Sequence, residues 1–152
     1  MRTRTVIYRL TLLAAAMSLG HHLDHVIRGN AIGWPLTPDV NAFTISLGIY
    51  PVLATGLLLT WRGLVGPGFW ALLSGGGAAF VSAVHFGPLA VEPPELIHAG
   101  HDSAAVGWVA FAWLIGFVGV LIVTCVYEAR AWYNERRTGD SVSAPLPQGE
   151  RP

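Results

Sequence analysis

Charge is scarce in this chain, lysine is absent, and there is one cysteine. Only 12% of the 152 residues are charged, against about 25% in an ordinary soluble domain. All nine basic residues are arginines, nine acidic residues balance them, and the net charge is zero. A neutral chain with no basic stripe has nothing to hold a polyanion, so nucleic acid is not an expected partner. The lone cysteine, Cys125, can form neither an internal disulfide nor a thiolate-rich metal site. That removes copper(I)–thiolate and iron–sulfur chemistry from consideration. Its place inside an apolar run reads as a small buried side chain. A Gly-rich phosphate loop, a nucleophile elbow and an HExxH zinc-protease motif are also missing.

What the chain has in quantity is apolar surface. The hydrophobic set makes up 53% of it, and its mean hydropathy is +0.51. No charged residue occurs from Ala42 to Thr60, from Gly63 to Val91, or from Ser103 to Tyr127. Each of these runs, as a helix, is long enough to cross about 30 Å of hydrocarbon. A fourth run, from Leu10 to Val26, is interrupted late by histidines. The pattern predicts an all-α, multi-pass protein of the cell membrane, a four-helix bundle in residues 1–137. The expected spans are about 6–28, 42–61, 67–87 and 103–127, and the polar stretch 138–152 is expected to be a disordered cytoplasmic tail. The lipid bilayer is then the first partner, and so few spans leave room for a homo-oligomer or a partner membrane protein. Arg2, Arg4 and Arg9 before Ala14-Ala15-Ala16 resemble a signal peptide. Apolar residues continue through Leu19, Leu23, Val26 and Ile27, however, which predicts a retained helix.

The arginines orient this bundle. Arg2, Arg4 and Arg9 precede the first span, Arg62 lies between the second and third, and Arg130, Arg136, Arg137 and Arg151 follow the fourth. Only Arg28 lies on the other side. The positive-inside rule places both termini in the cytoplasm and the segments 28–41 and 88–102 outside. Helix punctuation agrees with these limits. Asn41 can cap the second helix, Pro51 should kink it, and Pro67 can open the third. Gly87-Pro88 closes the third, and Pro93-Pro94 starts a short outer helix that bends near Gly100 before the last span. Ser74-Gly75-Gly76-Gly77-Ala78-Ala79 offers a surface for close helix packing.

All six histidines fall toward the predicted outer side. One cluster is His21-His22-Leu23-Asp24-His25, the other runs from Glu95 through His98 and His101 to Asp102, and His85 lies between. At about 100° per residue, His21, Asp24, His25 and Arg28 share a helix face, and His22 points a quarter-turn away, toward the headgroups. Glu95, His98 and Asp102 share a face if the helix continues through Gly100, with His101 turned aside. Asn30, Trp34, Asn41 and Tyr50 are placed to line an outer pocket.

Ionisable groups in a membrane bundle are costly and default to a functional reading. Imidazole with carboxylate suits Zn, Fe, Mn or Cu(II). The expected metal site draws on His21, His25, His85, His98 and His101, with Asp24, Glu95 and Asp102 as ligands or as groups that orient them. Glu95-x-x-His98 has the spacing of di-iron bundles, but in one copy only. Plainer roles also fit: Asp24 paired with Arg28, Asp102 capping the last helix, and Asp39 and Glu92 as solvated loop residues. Three functions follow. The first is metal handling or metal-dependent redox or hydrolytic chemistry. The second is a b-type heme protein with two axial histidines. The third is a non-enzymatic, pH-responsive or accessory membrane subunit. Whether the chain is an enzyme stays open at this level.

Overall fold

A computed structural model describes residues 2–29, 39–88 and 90–142, with side chains over 4–29, 39–88 and 90–138. Every regular element among the described residues is a helix: α1 (Arg2–Arg28), α2 (Ala42–Ser46), α3 (Ile49–Trp61), α4 (Pro67–Phe86), α5 (Pro94–Ala99) and α6 (Ala104–Val142). Three stretches among the described residues are long and apolar enough to cross a membrane: Ala42–Trp61, Pro67–Phe86 and Ala104–Thr138. At 27 residues α1 has the length. Its early arginines and its outer histidines and Asp24 lower its hydropathy.

The stretch expected as one kinked helix over 42–61 is two helices separated at Leu47-Gly48. Pro51 lies four residues beyond Leu47, has no N–H to donate, and its ring would strike the Leu47 carbonyl. Tyr50 N–H therefore bonds Leu47 in a tighter three-residue turn. Asn41 caps α2 through a reciprocal box with Thr44. Asn30 and Trp34, expected beside the outer pocket, lie outside the described residues. At the other end, the last helix reaches into the stretch expected as a tail from residue 138. Helix α6 continues to Val142, its ladder propagating past the apolar span, and Thr138 Oγ1 donates back to the Asn134 and Glu135 carbonyls at 3.1 and 3.0 Å. Residues 143–152 lie outside the described residues.

Helix α6 is the hub, packing on α4, α1 and α5, while α1 also touches α3 and α4. The central layer is Ala14, Ala78, Phe117 and Leu121, flanked by Met17, Val81 and Val120. Small residues set the approach. A Cβ on Gly20 would meet the Trp113 indole at 2.5 Å, and Trp113 Nε1 donates to the Met17 carbonyl at 2.9 Å. Helix α6 thus lies directly against the α1 backbone. The glycines of α4 divide their roles: Gly75 faces Cys125, whereas Gly76 has open space beside it. Outward-facing side chains such as Ile27, Leu72 and Val109 are large and apolar, as a lipid-facing surface requires.

Candidate metal centre

One face of α1 and the end of α4 bring three histidines together. His21 and His25 are one turn apart on α1, and their Nε2 atoms are 3.2 Å apart. His85, in the last turn of α4 before Gly87 ends it, is 1% exposed. Its ring centroid lies 5.1 Å from that of His21 and 5.7 Å from that of His25. Each of the three offers one ring nitrogen, and these nitrogens lie within 4.8 Å of one another. The group lies two helical turns beyond the central layer on both helices, seven residues from Ala14 to His21 and from Ala78 to His85. Phe117 of α6 closes it from below, 5.8 Å from the His21 ring.

Glu92, read from sequence as a solvated loop residue, is fully buried behind this group. The chain after α4 folds back on itself instead of continuing into solvent. Ala90 N–H bonds Gly87, and Glu92 N–H bonds the Val84 carbonyl at 3.1 Å. His85 Nδ1 donates to the Glu92 carbonyl at 2.9 Å, which turns its Nε2 lone pair away from Glu92. Glu92 Oε1 accepts from Arg28 Nη1. Its Oε2 lies 3.4 Å from His25 Nδ1 and 3.5 Å from His85 Nδ1. Burial pushes the Glu92 carboxyl above its ordinary range, and the Arg28 guanidinium pulls it back. The only advance signal was stoichiometric: a guanidinium carries five N–H donors, more than Asp24 alone can accept.

The network extends outward through Arg28 and Asp24. Arg28 Nε donates to Asp24 Oδ2 at 2.6 Å, the pairing expected from their spacing. Asp24 Oδ1 accepts from His101 Nε2 at 3.0 Å. Asp24 and His101 therefore connect to the imidazole group through Arg28 and Glu92. His98 stands apart, its ring tilted 51° against Trp108 at 4.4 Å and near Phe111 at 5.4 Å, above Gly107. Glu95 and Asp102 are exposed, because α5 ends at Ala99 and α6 begins at Ala104, which breaks the shared face.

His22, expected to face headgroups, is buried instead. Its Nε2 and Ser46 Oγ are hydrogen-bonded at 2.8 Å, and Ser46 Oγ also reaches the Phe43 carbonyl at 2.7 Å. His22 Nδ1 donates to the Ser18 carbonyl at 2.9 Å, and the Tyr50 hydroxyl lies 2.8 Å from the same nitrogen. These bonds tie α1 to α2 and α3, where apolar packing is thin.

A cavity of about 390 Å³ reaches the group from within the bundle. His21, His22, His25 and His85 line one end, and Thr11, Ser74, Thr124 and Glu128 line the other. The wall between is mostly apolar and includes Leu72, Val52 and Ile45, which also face outward, so the cavity lies open toward the lipid side. Comparison with protein families, with curated proteins and with solved structures finds no match for the chain.

Proposed function

We propose that the chain is a four-helix membrane protein, with α1 as the fourth span and both termini inside, that binds a divalent transition metal through His21, His25 and His85. The observation that carries this reading is the meeting of three buried imidazoles with a buried carboxylate behind two of them. The donor set fits a metal. Two nitrogens bound at 2.0–2.1 Å in a tetrahedron are about 3.3 Å apart, close to the 3.2 Å between His21 and His25. Ligating histidines hold their other nitrogen against a carboxylate or a carbonyl. Glu92 offers both, its carbonyl to His85 and its Oε2 facing His25. Three nitrogen donors would leave at least one coordination position free, as in sites that do chemistry. Zn, Fe and Cu all accept this set.

The cavity supports metal-dependent chemistry on a small or membrane-borne apolar molecule over simple metal storage, because storage has no use for an apolar chamber. A metal bound there would supply Lewis acidity or oxygen activation. The residues of this chain would line the site with apolar surface, hold the His85 tautomer through the Glu92 carbonyl, and tie the group to the following loop through Arg28, Asp24 and His101. A bis-histidine heme b is less well supported. A heme with one axial histidine from α1 and one from α4 would use two imidazoles, whereas three converge here.

Elemental analysis with an optical spectrum of untagged, detergent-purified protein tests the reading. About one equivalent of transition metal without a Soret band is expected. Loss of that metal is expected in His25→Ala and in His85→Gln, while His98→Ala keeps it. Full metal content in a His25/His85 double variant, or a Soret band in the wild type, overturns the proposal.

A further inference from the structure

The inner end of the same cavity holds a second polar group that the metal centre does not use. Glu128 of α6 is fully buried, as are Thr11 of α1, Ser74 of α4 and Thr124 of α6. Their placement is a layer, one helical turn inward from the central one. Thr11 precedes Ala14 by three residues, Ser74 precedes Ala78 by four, and Thr124 follows Leu121 by three. Glu128 is one further turn along the Thr124 face. Thr11 Oγ1, Thr124 Oγ1 and Glu128 Oε1 are each buried with no hydrogen-bond partner. Ser74 Oγ lies 3.3 Å from Glu128 Oε2, but its one proton goes to the Trp70 carbonyl at 2.7 Å. No arginine or histidine forms an ion pair with Glu128 among the described residues.

A buried carboxylate with one long contact to a hydroxyl already bonded elsewhere, and no cation, is too costly to persist. We propose that Thr11, Ser74, Thr124 and Glu128 form a binding site for a monovalent alkali cation, sodium in the first instance. The donors are all oxygen, which selects a hard cation and disfavours the transition metals taken by imidazole. One carboxylate balances one positive charge, whereas calcium sites are built from several carboxylates and carbonyls. The cation would draw the orphaned threonine oxygens and Glu128 Oε1 into one coordination shell. About 15 Å of helix separates Thr11 from His21, ten residues along α1, so the two sites occupy opposite ends of one chamber.

The test uses full-length protein in detergent with EDTA throughout, so that the histidine site is silent. Thermal unfolding is followed while NaCl replaces choline chloride at constant ionic strength, beside equilibrium binding of radioactive sodium. A saturable rise in Tm with sodium and binding of about one ion per chain are expected. Glu128→Gln and the near-isosteric Thr124→Val should each weaken sodium binding about tenfold or more, the loss expected for one ion-contacting group. If Glu128→Gln does not fold, the Thr124→Val result decides. Equal stability in choline and sodium with no saturable binding overturns the proposal. So does a protonated-carboxyl infrared band, lost in Glu128→Gln, that sodium does not remove.

Discussion

Glu92 and His25 face one another across 3.4 Å of buried interior, the carboxylate from a loop and the imidazole from α1, 67 residues apart. The contact works in two directions. Glu92 Oε2 lies beside His25 Nδ1, on the side of the ring opposite the Nε2 that faces His21. Glu92 Oε1 meanwhile accepts from Arg28, which compensates the carboxylate charge. The three-imidazole group and the Arg28–Glu92 ion pair are therefore one unit, and substitutions within it should couple.

Glu92→Gln keeps the size of the side chain and removes its charge. Outer partners of metal-bound histidines are worth about 10–100-fold in affinity. A loss of that size is expected in metal competition against a calibrated chelator, with the helix content in circular dichroism unchanged. Undiminished affinity would show that Glu92 serves the fold alone.

Arg28→Met leaves Glu92 buried without its cation. Breaking a buried pair from one side costs about 3–5 kcal/mol. Chemical unfolding in mixed micelles should show a loss of that order for Arg28→Met and a smaller one for Arg28→Met with Glu92→Gln. Additive losses in the pair would mean the two side chains do not interact energetically.

Gly20 and Gly119 both lie within helices, yet only one should resist alanine. A Cβ at Gly20 would overlap the Trp113 indole, whereas Gly119 has nothing within 4 Å. Gly20→Ala should cost about 1–3 kcal/mol through forced repacking. Gly119→Ala should be neutral or stabilising by up to about 1 kcal/mol, since alanine is the better helix former. Thermal unfolding of the two variants side by side checks the contact between α1 and α6.

Orientation has its own test. In a Cys125→Ala background, single cysteines at Thr37 and Ser141 should react oppositely with an impermeant thiol reagent. Labelling of position 141 from outside intact cells would invert the topology and place the metal centre at the inner face.

Periodicity and charge carried the architecture a long way. Uncharged runs of about twenty residues have few alternatives to crossing a bilayer as helices, so the limits near 42, 61, 67 and 86 could be read directly. Helical spacing likewise put His21, His25, Asp24 and Arg28 on one face, and there they are. His85 could be assigned to the same end of the bundle from span length alone. The rest depended on contacts between distant segments. Gly100 and Ser103 lie between α5 and α6, so Glu95 and Asp102 face outward and His98 turns onto Trp108. Glu92 carried no periodic signal because it sits in a loop, and its burial comes from a backbone return to Val84 and a guanidinium 64 residues earlier. Glu128 likewise looks like the first charge past a span until three helices enclose it with hydroxyls. Local sequence sets which face a side chain takes on its own helix. What that face meets is set by how the helices cross, and there the donors, the cavity and the charge compensation were decided.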